Sequence, residues 1–256
     1  DITTIKNLKI TGKLGTEDYY FMRDKMTSLQ RLNLREVESL IDGVYQIPSR
    51  AFQDKKHLIK CMLPEKLERI EAESRDFGAF TNSGLTGKLQ LPKGLKYVAG
   101  FTGTKITDVE FPSTLEEIGL HAFSNCKSLM CEISFPSSLR VIHGGAFENS
   151  AITGNLVLPQ LFEGFMDSTY SHGAAFSGCS GLSGSLIIPN GITVIPQKTF
   201  ANCGFTGNLT LPMGLTEIHN NAFYGTNFKG ELNIPSTVTT IGSSAFAHTE
   251  FNGTLI

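Results

Sequence analysis

Hydrophobic and polar residues alternate over very short stretches of the chain, and the stretches recur. Phe205-Thr-Gly-Asn-Leu-Thr-Leu-Pro212 returns 23 residues later as Phe228-Lys-Gly-Glu-Leu-Asn-Ile-Pro235, and again as Phe251-Asn-Gly-Thr-Leu-Ile256. Upstream copies end at Pro189, Pro159 and Pro92, and degenerate ones at Pro136, Pro112 and Pro64. The spacings between these prolines, from Pro64 to Pro235, are 28, 20, 24, 23, 30, 23 and 23 residues. Each L-x-L unit alternates with period two, which predicts a brief strand with every second side chain inward. The proline ends it by fixing φ and removing a ladder donor. Ten such segments are expected, near residues 32–34, 61–63, 89–91, 109–111, 133–135, 156–158, 186–188, 209–211, 232–234 and at Leu255.

A second apolar block follows each proline: Leu215, Ile218 and Ala222-Phe223, with equivalents at Leu139/Ile142/Ala146-Phe147, Leu115/Ile118/Ala122-Phe123, Ile192/Ile195/Thr199-Phe200 and Val238/Ile241/Ala245-Phe246. Leu67/Ile70/Ala79-Phe80 is the same block with an insertion. A unit of 23 residues cannot bury these side chains alone, whereas stacked units bury them in a one-dimensional core. The fold class is therefore a repeat solenoid: a right-handed leucine-rich-repeat superhelix with about ten short parallel strands, mostly β and turns, with a short helical cap at the N-terminus. Residues 1–30 form the cap, containing a helix over 17–25, and residues 31–256 form a single solenoid domain. The array stops in mid-repeat at Ile256, so the protein is expected to continue beyond it, and Asp1 reads as a processed or engineered start.

The pattern I-P-x-x-L-x-x-I-x-x-x-A-F-x-x-C resembles the BspA-like leucine-rich repeats of bacterial surface proteins, over residues from about 27 to 256. The resemblance implies surface display, with a lipid anchor on a removed N-terminal segment as one route, and adhesion to host matrix proteins or to other bacteria. It implies no catalytic motif. The 20-residue coil near Ala99-Gly-Phe101 departs from the pattern.

Composition narrows the picture further. The chain has 18 Phe and no Trp, as a column of repeated Phe would require, and its net charge is −2 with 18% charged residues. That balance offers no basic track for nucleic acid, and no apolar run spans a bilayer. Cys126, Cys179 and Cys203 each follow a repeat Phe by three positions, where Ser83, Ser150, Thr226 and Thr249 stand in other coils. This reads as a ladder of small buried residues with reduced thiols, although Cys179 and Cys203 on adjacent coils could approach disulfide distance in an oxidising setting. His143 and His219 share a repeat position, and His121 precedes Phe123 by two; all three read as surface turn residues. No zinc spacing, no supported nucleophile–base set and no phosphate loop is present, so neither a metal nor a cofactor is expected.

Two insertions break the period. The coil containing 160–175 carries Phe162, Phe165, Met166, Tyr170 and His172. Phe162 and Phe165 read as substitutes for the missing core residues, leaving Tyr170 and His172 as candidate contacts. The second insertion, 71–76, is acidic and reads as a solvated loop. The outward strand positions run from Lys88 and Gln90 through Glu110, Glu132, Ser134, Asn155, Val157, Ser185, Ile187, Asn208, Thr210 and Glu231 to Asn233. This strip reads as small, polar and nearly neutral. Candidate ligand-binding residues are Tyr170, His172, Asn155, Asn208, Thr210 and Asn233. The sequence reading is thus a non-catalytic, secreted or surface-displayed module that binds protein partners through the sheet face and the inserted loop. A structural spacer and a glycan-binding module remain as alternatives.

Overall fold

The computed structural model describes residues 1–166 and 173–253, which form a β-solenoid of about ten coils with one α-helix, Thr16–Lys25. The L-x-L segments build the first ladder. Asn7–Lys13 pairs in parallel with Arg31–Glu38, and that strand with Lys60–Met62. Thr86–Gln90 then pairs with Lys105–Glu110, Gly154–Asn155 with Leu182–Ser183, and Leu186–Ile187 with Leu209–Thr210. Neither the 133–135 nor the 156–158 segment is a strand: Glu132 makes one isolated parallel bridge to Thr153, and the strand Gly154–Asn155 ends just before Leu156. Nor is 232–234 a strand, and Leu255 lies outside the described residues.

The second block also builds strands, which its three-residue Leu-x-x-Ile spacing concealed. Leu40–Ile41 and Val44–Ile47 form a hairpin. From there a parallel ladder runs through Arg69–Ile70, Tyr97–Val98, Glu117–Ile118 and Val141–His143 to Gly164–Met166. Past the inserted coil it resumes as Val194–Ile195, Glu217–Ile218 and Thr240–Ile241. Between the two ladders runs a third seam of hydrogen bonds, at the phenylalanine turn. The N–H of each repeat Phe donates to the carbonyl just before the next one, as in Phe80 to Gly100 (2.7 Å), Phe123 to Ala146 (2.7 Å) and Phe223 to Ala245 (2.8 Å). Two residues after each Phe the backbone enters the left-handed region, with φ of +55° at Asn82, Asn125, Asn149 and Asn202 and +67° at Gly225. Asn and Gly tolerate that conformation, which is why they recur there.

The rings themselves form one column. Phe52, Phe80, Phe101, Phe123, Phe147, Phe176, Phe200, Phe223 and Phe246 stack in order with centroids 5.0–5.8 Å apart and planes within 25° of parallel. Phe101 keeps its place in the column, so the short coil around it departs in length but not in packing. Phe52 begins the column one coil earlier than the repeat pattern suggested. Tyr19 of the helix meets Phe52 edge-on at 5.7 Å, and with Met22 and Met26 it buries the open end of the stack. The buried Lys55 ammonium donates to the carbonyls of Arg23 (2.9 Å) and Met26 (2.7 Å), satisfying the C-terminal end of that helix.

The small-residue ladder beside the column is as expected. Cys126, Cys179 and Cys203 are free and buried, and each thiol donates to the Phe carbonyl of the preceding coil at 3.0–3.2 Å. Thr226 and Thr249 instead donate to the Phe carbonyl of their own coil. Phe162 and Phe165 are buried and fill the core of the long coil.

Truncating a ring in the middle of the column leaves a cavity between two coils. Phe147→Ala should lower the unfolding free energy by about 3–5 kcal/mol, read from urea denaturation. Phe246→Ala, at a half-buried position, should cost clearly less. Equal losses at the two sites would mean that the stack is not what binds the coils together.

Candidate functional site

Because Leu156, Leu158, Leu186, Ile188, Leu209 and Leu211 point inward, the residues between them point to solvent and form the outer face of the first ladder. The face is not uniform. Its N-terminal part is charged and internally paired: Lys9 with Glu36, Arg35 with Glu65 (3.7 Å), and Lys88 with both Asp108 (3.4 Å) and Glu110 (3.2 Å). Its C-terminal part holds exposed aliphatic side chains: Val157 is 71% exposed, Ile187 65%, and Leu161, just past Pro159, 60%. Together they line a concavity of about 920 Å³ whose fourteen lining residues include no ionisable group. A neighbouring concavity of about 560 Å³ shares Asn155 and Val157 and adds Glu132 and Ser134.

The structure brings two of the predicted contact residues, Asn155 and Thr210, into the lining of the larger concavity. Asn208 and Asn233 are exposed on the same side of the array but lie outside that lining. Tyr170 and His172 fall outside the described residues. Sequence reasoning passed over Val157, Leu161 and Ile187 as possible contacts. The strip is not the small polar surface expected, since its N-terminal part carries ion pairs and its centre is aliphatic. The available signal was two β-branched side chains at positions that elsewhere hold Ser, Asn, Thr or Glu.

The BspA type leucine rich repeat region, in a six-copy form, matches residues 3–99, 97–172 and 169–254. The chain belongs to this family. Leucine-rich repeat proteins of this kind are typically non-catalytic protein-interaction modules, and BspA-type members are generally bacterial surface proteins. No curated protein matches the chain. Among solved structures it is similar to a T. pallidum leucine-rich repeat protein, at 23% identity and TM-score 0.47, over 64% of this chain and 76% of that one. It is also similar to a leucine rich cell surface protein of Faecalibacterium prausnitzii, at 17% identity and TM-score 0.46, over 98% and 89%. A third is the pneumococcal vaccine antigen PcpA, at 18% identity and TM-score 0.41, over 91% and 58%. Among the described residues, no helix is long and apolar enough to cross a membrane, and no three His, Cys, Asp or Glu side chains form a group able to hold a metal ion.

The second insertion of this BspA-type chain stays at the surface, as expected, but its side chains are paired. Arg50 lies over the Phe77 ring at 3.9 Å and pairs with Glu73 at 2.7 Å, while Arg75 reaches Glu148, several coils away, at 3.5 Å. The 71–77 segment is thus a strap along one corner of the solenoid. Beneath it sits His121, which is buried rather than exposed on a turn, 7% of it reaching solvent. Its Nδ1 has no hydrogen-bond partner and lies 3.8 Å from Glu148. Burial, and after it the Arg75 guanidinium, push the His121 pKa down to about 4. A backbone hydrogen bond at Gly145 and the Asp76 charge oppose this shift without reversing it. His143 is half-buried and contacts Glu117 at 3.2 Å, and His219 contacts Glu217 at 2.9 Å. Burial also raises the thiol pKa values, to about 12 at Cys61 and Cys179 and about 11 at Cys126.

A folded-state pKa below the unfolded value of about 6.5 means that unfolding takes up a proton as the pH falls. His121 should therefore cost no stability above pH 6.5 and progressively more between 6.5 and 4, up to about 3 kcal/mol. Urea unfolding of His121→Asn, which tolerates the same left-handed backbone, should be flatter than the parent over that window. Parallel pH profiles would contradict the assignment. In a separate test, a thiol reagent added to the native chain should leave Cys126, Cys179 and Cys203 unmodified and should label all five cysteines only after unfolding. Rapid native labelling of any of these three would show that the coils open locally.

Proposed function

We propose that this chain is a non-catalytic binding and adhesion module, secreted or displayed on the bacterial surface, that recognises protein partners through the outer face of the first ladder. The observation that carries this reading is the cluster of exposed aliphatic side chains, Val157, Leu161 and Ile187, in one concavity of an otherwise polar or ion-paired face. Exposed apolar surface gathered in a hollow and rimmed by amides and hydroxyls is what a protein-binding patch requires. Asn155 and Thr210 supply polar contacts at its rim. Asn208 and Asn233 extend the contact along the array, and Tyr170 and His172 are the further contacts expected of the inserted coil.

The test is retention of the chain on immobilised extracellular-matrix proteins and on whole bacterial cells, read by biolayer interferometry. Val157→Thr and Ile187→Thr keep the β-branched shape and remove apolar surface, so each should weaken binding about tenfold, as expected when a buried aliphatic anchor is lost. Tyr170→Ala should also weaken it; unchanged affinity would take the inserted coil out of the contact. Silence across every surface would overturn this reading and leave the chain as a structural spacer.

A further inference from the structure

The outer face has two rows that cross the coils. The row just before the inward Ile133, Leu156, Leu186, Leu209 and Leu232 reads Glu132, Asn155, Ser185, Asn208, Glu231. The row just after them reads Ser134, Val157, Ile187, Thr210, Asn233. The aliphatic centre of the second row therefore lies between two carboxylates of the first. Glu132 and Glu231 are both exposed, and among the described residues neither forms an ion pair, in contrast to the paired acids at Glu36, Glu65, Asp108 and Glu110.

From this layout, which rests on the reading of the face as a protein-binding surface, we infer the chemistry of the partner: a segment with an uncharged apolar centre and a basic residue at each end. The centre must be uncharged because none of the fourteen residues lining the concavity can neutralise a charge, and a charge losing water there would have no counter-ion. It must be apolar to cover Val157, Leu161 and Ile187. No Phe, Tyr or Trp lines the larger concavity, and the aromatic lining the neighbouring one at the Glu132 end is the half-buried Phe135, so a sugar ring has little to stack on and a peptide is favoured over a glycan. Basic ends follow from the two unpaired carboxylates. Glu132 and Glu231 are four coil steps apart, on the order of 19 Å at the usual strand spacing. An extended peptide covers that span in about six residues. The segment is therefore short and extended, with its cations about six positions apart.

Panning a phage-displayed library of random dodecapeptides on the intact chain tests this. Enriched peptides should share four to six uncharged apolar residues between two Lys or Arg. Their resynthesised forms should lose at least tenfold in affinity on Ile187→Lys, and about two- to fivefold on either Glu132→Gln or Glu231→Gln. Each Glu→Gln variant should also bind with a shallower salt dependence. An acidic consensus, or binding indifferent to Ile187→Lys, would overturn the inference. So would an empty selection, although retention on matrix proteins or cells would then still support the binding-module reading. If the chain alone is dimeric by light scattering and Ile187→Lys makes it monomeric, the occupant is a second copy and the inference fails in that way.

Discussion

From Phe52 to Phe246, each coil is tied to the next by a phenylalanine ring lying nearly parallel to its neighbour, with the backbone N–H of the earlier residue bonded across to the later coil. Both contacts demand one geometry. The rings stack at 5.0–5.8 Å, a little more than the spacing of adjacent strands, so the column and the ladders can be satisfied together. The left-handed turn two residues later returns the chain after each ring. At Gly225 a side chain would also collide with Asn202 of the coil before, 2.5 Å from where its Cβ would lie. The stack sets the pitch, and the two ladders and the thiol–carbonyl bonds follow from it.

A solenoid held in this way leaves its outer positions free. Nothing in the core depends on Val157 or Ile187 being aliphatic, since both project away from the column. Their presence costs solubility without contributing to the stack, which is the physical reason to read them as contact residues. The strap at 71–77 is the opposite case. It uses Arg50, Glu73, Arg75, Phe77 and Glu148 to clamp one corner and bury His121, and so belongs to the scaffold.

Much of this was legible in the amino-acid sequence, because a repeat states each packing decision many times. The alternation of L-x-L, the prolines after it and the recurring Ala-Phe fix which side chains are inward, and the Cys/Ser/Thr position announces a small buried ladder. Even the long coil was readable, since Phe162 and Phe165 stand where Leu and Ile are missing and occupy the core. The second ladder was not legible, because two-residue strands have no period of their own and depend on hydrogen bonds to coils on either side.

What the sequence determined alone is therefore whatever a single coil decides for itself: its length, its inward residues, its turn and its place in a family of stacked repeats. What only the tertiary structure decided is whatever needs several coils at once. Val157, Leu161 and Ile187 are scattered along the chain and become one concavity only when the coils are stacked. His121 looks like a turn residue until a strap from another coil covers it. Glu132 and Glu231 bracket a groove only because intervening coils place them on one row. Burial and charge pairing are properties of neighbours in space, and in a solenoid those neighbours lie a full coil or more apart in sequence.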